Sequence, residues 1–225
     1  MCNHYRQAIL KGEQIPGWSI DQFSEIRIPL RFSNLPVDVY PDKPGVVLIQ
    51  RGDGIEATSM RWGFPKTDEP RATWVTNARN VMNKSGPSPY WAEWTGPEYR
   101  CLVPATSFLE PDQRTVGTGA FKEVEFARAD GLPFMFAGMW RPWTGVRGTK
   151  KAPEEGEHAL FTFLTTAPNA LVKPVHSKAM PVMLTNWEQC ETWLNEPIEE
   201  AIKLQQPLPV DQLVVVERDA GDAAN

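Results

Sequence analysis

VVLIQRGDGIEATSMRW, residues Val46 to Trp62, is the stretch whose reading decides the fold. Its centre, Gly52-Asp53-Gly54-Ile55-Glu56-Ala57, matches the dinucleotide-binding fingerprint in letters and follows a strand-like run, Val46–Gln50. That fingerprint works only where the glycines open a helix whose N-terminus holds a pyrophosphate. Here Thr58-Ser59-Met60-Arg61-Trp62 alternates like a strand, so Gly52–Gly54 reads as the turn of a hairpin. Outward from this hairpin the same short-strand signature recurs at Tyr99–Val103, Phe121–Ala127, Phe134–Trp140, Leu160–Thr166 and Leu213–Glu217, bounded by Pro, Gly and Asp. Helical patterning is clearest near the C-terminus, where Asn186 can cap Trp187–Leu194 and Glu196–Leu204 follows. Weaker helical patterns lie at Ser19–Ile26, Pro89–Trp94 and Asn169–Val172. Strands and helices do not alternate as βαβ units, which predicts an α+β domain with mainly antiparallel sheets and a few short helices. Pro111–Ala120 and Gly145–Gly156 read as exposed hairpin loops, and Ala220–Asn225 as a frayed end.

Composition narrows the function classes. The chain has 225 residues, 41% hydrophobic and 23% charged, which fits an ordinary globular protein and argues against wholesale disorder or coiled coil. It contains no apolar run of the roughly 20 residues a membrane helix needs and no signal-peptide layout, so a cytoplasmic protein is expected. Cys2, Cys101 and Cys190 are too few and too scattered for a disulfide framework or a zinc site; neither a metal nor a cofactor is expected. Net charge is −5, but nine acidic and two basic side chains lie in Asn186–Asn225, leaving 19 acidic and 21 basic residues before them. The body, at +2, leaves room for a local basic groove, while the tail is acidic.

The second residue is Cys2, and a small residue after Met1 predicts removal of the initiator methionine. Cys2 would then carry an α-amine of pKa about 7.7–8.0 beside a thiol of pKa near 8.5. With an aldehyde, the amine can form a Schiff base and the thiol can close on the imine carbon as a five-membered thiazolidine. With an amide or ester, the thiol could attack while the amine serves as base.

Met1-Cys2-Asn3, Trp62-Gly63, Asn77-Ala78-Arg79, Ser107-Phe108-Leu109-Glu110, and His176 followed by Met180-Pro181-Val182 form an ordered set. In order and spacing that set resembles the SRAP (SOS response-associated peptidase) family, whose members act as abasic-site sensors. The resemblance implies a domain over residues 1–219 with a curved, barrel-like set of strands. It also implies a covalent link from Cys2 to the ring-opened abasic sugar in single-stranded DNA. An N-terminal-cysteine peptidase or amidase, or a non-covalent single-stranded DNA-binding module, are the competing readings. A monomer is expected.

Each further residue has its own chemistry. Asn77 reads alone as a turn residue, and the resemblance makes it an amide that orients the cysteine and a sugar hydroxyl. Arg79, two residues on in an extended segment, points to the same side and suits a phosphate. Glu110 ends an apolar run before Pro111: in a closed pocket it would shuttle protons with a raised pKa, and at an open strand end it would meet water. His176, on a Pro-flanked loop, can act on the sugar ring oxygen and release the aldehyde. Arg61 and Lys178 are lesser candidates for backbone phosphate, and Trp62, Trp74 or Trp91 could offer a stacking face to a base. His4 stands where many members of the family carry an arginine, and it joins the candidate DNA-contacting set in that place. Pro111 stands where many carry a tryptophan.

Overall fold

The computed structural model describes residues 2–8, 26–27, 36–52, 54–115, 117 and 122–217. Its main strands are β1 (His4–Gln7), β2 (Pro44–Arg51), β3 (Gly54–Trp62), β4 (Arg100–Pro111), β5 (Glu123–Arg128), β6 (Phe134–Thr149), β7 (Ala152–Thr166) and β8 (Leu213–Val215). The hairpin expected at Gly52 is present. Strands β2 and β3 pair antiparallel from Pro44↔Arg61 to Arg51↔Gly54, and Gly52 takes φ 57°, a left-handed conformation that glycine adopts without a Cβ clash.

The ladder then turns back on itself. Strand β2 also pairs with β4, β4 with β6, β6 with β7, and β7 returns to β3 in parallel through Leu160↔Arg61 and Phe161↔Trp62. The sheet is therefore partly ring-like, mostly antiparallel, with a few short helices outside it. Strand β4 organises the region that matters here. Its C-terminal half is flanked by β1 on one side and β5 on the other, so side chains turned inward between them meet no water.

Aromatic rings fill the interior of the ring. Phe136 stacks on Phe163 with centroids 4.4 Å apart, and Tyr5 meets both edge-on. Pairs of this geometry each add about 0.5–1.5 kcal/mol beyond their buried area. A second apolar cluster lies under helix α1 (Trp187–Asn195), which buries Cys190, Trp193 and Leu194. Asn186 caps it as its sequence predicts, accepting from the Gln189 N–H at 3.0 Å. Arg100, 1% exposed, closes the other end: its guanidinium donates to the carbonyls of Trp193, Glu196 and Thr95 and lies against the Trp193 ring. Arg100→Met keeps the apolar stem and strands the buried carbonyls of Thr95 and Trp193, each worth about 1–3 kcal/mol when left unsatisfied, and releases the part-buried one of Glu196. Urea unfolding should register a loss of about 3 kcal/mol or more; a loss under about 1 kcal/mol would mean that water replaces the guanidinium.

Several sequence expectations are corrected. Gly145–Gly156 is no loop: β6 and β7 continue through it as a long hairpin, paired from Gly138↔Phe163 to Thr149↔Ala152 around Lys150-Lys151. Its glycines and charges hide the strand pattern, because what holds it is one buried cation. Arg147, 1% exposed, donates to Asp42 and to the carbonyls of Trp62 and Gly63, with Trp74 against its face at 3.5 Å. Glu196–Leu204 resolves into a short helix, Ile198–Ala201, and a 3-10 turn, Ile202–Leu204. The weaker patterns give a 3-10 turn at Ala92–Trp94 and a turn after Asn169, whose side chain accepts from the N–H groups of Leu171 and Val172. Ser19–Glu25, Phe121 and Ala220–Asn225 lie outside the described residues, and Ile26 belongs to a short strand, Ile26–Arg27. Among the described residues no helix is long and apolar enough to cross a membrane.

Candidate active site at the N-terminus

The register of β1 on β4, with His4 opposite Leu109 and Tyr5 opposite Phe108, runs toward Glu110 and delivers Cys2 beside that carboxyl. Both side chains are 0% exposed. The Cys2 thiol donates to the His4 carbonyl at 3.5 Å. Glu110 sits in β4 opposite Val124 of β5, and neither of its oxygens has a full hydrogen-bond partner among the described residues. Burial pushes its pKa up to about 8, opposed by the positive charge of the N-terminus and by the Cys2 thiol, with the charge of Glu123 adding a little to the rise. Burial and the neighbouring Glu110 likewise push the Cys2 thiol well above its usual value. At neutral pH this is a protonated acid beside a protonated thiol.

His176 completes the group, its Nδ1 3.5 Å from Glu110 Oε2. The loop that carries it is held by Asn169 and by Gln113, whose N–H donates to the Val175 carbonyl and whose side chain accepts from Ser177. His176 Nδ1 lies 2.9 Å from the Ala179 carbonyl, an oxygen that can only accept, so the ring carries its proton there and Nε2 has the lone pair. Burial holds its pKa below the ordinary histidine value, aided by the positive charges of Lys178 and Arg79. The imidazole is therefore neutral.

Asn77 stands on a different element. The short strand Asn77–Ala78 runs parallel to β7, pairing with Phe163 and Leu164. Asn77 is 6% exposed, yet neither atom of its amide head has a partner among the described residues. A buried amide left this way costs about 1–3 kcal/mol unless something else takes up its bonds. Beyond it, Arg79 is exposed and donates to the carbonyl of Lys178, itself exposed, which joins two cations to the edge of the His176 loop. Gln205 ties this edge down by donating to the carbonyls of Arg79 and Thr165.

The remaining candidates lie elsewhere in the molecule. Trp62 is 0% exposed, stacked with Phe161 and Phe163, so it offers no face to a base. Its indole N–H donates to the Thr76 carbonyl, which also accepts from Thr162, and thereby fixes the residue before Asn77. Trp91 is buried as well, and Trp74 is occupied by Arg147. Arg61 is bound to Asp42 and Glu154 on the long hairpin. His4 is 4% exposed and held between Glu123 and Asp38. Sequence reasoning passed over Glu123, Gln113 and Gln205, polar residues whose spacing carries no motif and whose roles come from the way the chain folds back on itself.

Comparison with known proteins agrees with this fold. The chain is similar to a protein from Bordetella bronchiseptica of known structure, 24% identical, with a TM-score of 0.67 over 96% of this chain and 100% of that one. A protein from Bacteroides thetaiotaomicron is 21% identical with a TM-score of 0.68, covering 97% of this chain and 93% of its own. A phage-related protein from Bordetella bronchiseptica is 19% identical with a TM-score of 0.62, over 98% and 96%. At these identities the likeness shows a shared fold. No curated protein matches the sequence significantly. The sequence profile of the SOS response associated peptidase (SRAP) family matches residues 1–219, and the chain belongs to that family.

Proposed function

We propose that this chain captures abasic sites in single-stranded DNA by closing Cys2 onto the ring-opened sugar as a thiazolidine. The observation that carries the reading is the cluster of a buried carboxyl, a buried thiol and a neutral imidazole around the N-terminus. Once Met1 is removed, the nitrogen of Cys2 becomes a primary amine in that cluster.

Each group then has a balanced task. As the sugar's hemiacetal C–O bond breaks, His176 Nε2 takes the proton of the anomeric hydroxyl and returns it to the former ring oxygen. The Cys2 amine adds to the aldehyde carbon, and Glu110, still a carboxylic acid, protonates the departing hydroxyl so that water leaves and an iminium remains. Glu110 is now a carboxylate and accepts the thiol proton as sulfur bonds to the iminium carbon. The carboxyl is restored, and the net change is the loss of one water. Asn77 supplies the unpartnered amide that a sugar hydroxyl can meet, while Arg79 and Lys178 suit the flanking phosphates.

The amine-first order follows from the protonation states. A peptidase that attacks directly with Cys2 needs a thiolate, which burial and Glu110 both disfavour. Intact-mass spectrometry tests the whole reading. The purified protein should lack Met1 and gain the mass of an abasic oligonucleotide minus one water. A chain that keeps Met1 in most molecules, or shows no adduct, would remove the proposal.

A further inference from the structure

His4 is a histidine with both ring nitrogens committed to carboxylates. Nδ1 lies 3.0 Å from Glu123 Oε2 and Nε2 lies 2.9 Å from Asp38 Oδ1. A carboxylate cannot donate, so two such contacts require two N–H groups, which histidine has only as the imidazolium. The ring is stacked on Tyr40 at 4.2 Å. Three separate segments thus meet on one cation: β1, the short strand Asp38–Val39 that pairs with it, and β5. The same residue's carbonyl accepts the Cys2 thiol hydrogen bond.

We propose that the His4 imidazolium is a positioning residue for Cys2, clamping the N-terminal strand so that thiol and amine face Glu110, and that capture requires the His4 proton. This rests on the abasic-site reading for its kinetic consequence, and on geometry for the clamp. The charges facing the ring are Asp38 and Glu123. Arg6 stands behind Asp38 at 3.1 Å and reaches Glu125 at 3.7 Å, while Glu110 and Cys2 lie beyond the carbonyl side. The negative charge of Glu123 raises both Glu110 and Cys2, and His4 is the cation paired with that carboxylate.

The sign of the pH dependence follows. Burial disfavours the charged ring, but the bonds to Glu123 and Asp38 outweigh it and hold the His4 pKa above its ordinary value. The clamp is therefore complete below about pH 6.5 and is lost as pH rises through the higher folded-state value.

The test compares wild type with His4→Gln and His4→Arg. The amide of Gln is neutral at every pH, whereas Arg keeps two donors and the charge. Capture of an abasic oligonucleotide should be about tenfold slower in His4→Gln at pH 6, with the wild-type advantage shrinking steadily toward pH 9. In His4→Arg most of the rate should return. A wild-type to His4→Gln ratio that stays constant across pH would overturn the proposal, since a purely structural role has no reason to titrate. NMR of the imidazole in DNA-free protein decides the clamp independently: both ring nitrogens should carry protons at pH 6, and a neutral ring there would sink it. Absence of any wild-type adduct at every pH would instead sink the capture reading and, with it, the kinetic half of this proposal.

Discussion

Replacing Cys2 by serine should abolish the heat-stable DNA adduct while leaving a trappable imine. Serine keeps the α-amine, so a Schiff base with the abasic aldehyde still forms after Met1 is removed. Oxygen does not hold the ring as sulfur does, and the imine hydrolyses on work-up. On a denaturing gel the wild-type adduct should survive heating without reductant, and the Cys2→Ser adduct should be visible only after borohydride. A peptidase predicts the reverse pattern: peptide turnover lost in Cys2→Ser, and no lasting DNA adduct from either protein. Multiple turnovers of a peptide by wild type, with no mass shift on abasic DNA, would replace the abasic-site reading with that one.

The second large effect belongs to Glu110. The residue is 0% exposed and its carboxyl ionises near pH 8, so at neutral pH it can give a proton to the departing hydroxyl and then receive one from the thiol. Glu110→Gln keeps the shape and removes both transfers, for which about 10²-fold slower adduct formation is expected. The pH profile adds a sharper mark. Wild-type rate should rise with pH as the Cys2 amine loses its proton and fall as Glu110 ionises around 8. Glu110→Gln should lose the part of the fall that Glu110 sets around pH 8, keeping the rising limb and the separate fall that loss of the His4 proton imposes. An unchanged profile in the variant would move the proton shuttle to another group.

Much of this site was legible before any coordinates. Cys2, Glu110 and His176 come together as the ordered set suggested, because β1 pairs on β4 and the His176 loop is tied to the end of that strand by Gln113. The hairpin at Gly52 could be separated from a nucleotide-binding turn because alternation persists past the glycines. Burial was harder to read. Trp62 and Arg61 are neighbours in β3, and sequence offers no way to tell that one faces the core while the other meets Asp42 and Glu154. The partners of His4 were hidden for a related reason. Whether a histidine meets phosphate or carboxylate depends on which strands lie across the sheet, and Asp38 and Glu123 are 34 and 119 residues away in sequence. The long hairpin escaped notice because its strand character rests on the cross-strand ladder and on Arg147, and not on apolar alternation.

The pairing of β1 with residues Ala105–Leu109 also sets a clock during synthesis. Cys2 leaves the ribosome about a hundred residues ahead of the strand that covers it, and further still ahead of His176. At about 5–20 residues per second, the N-terminus stays uncovered for several seconds or more before its strand can dock. That interval gives an aminopeptidase its freest access to the N-terminal end, before the finished sheet leaves Cys2 with no exposed surface. The same delay exposes a nascent thiol and amine to any free aldehyde in the cell, so slowing early translation should favour methionine removal and small-aldehyde blockage together.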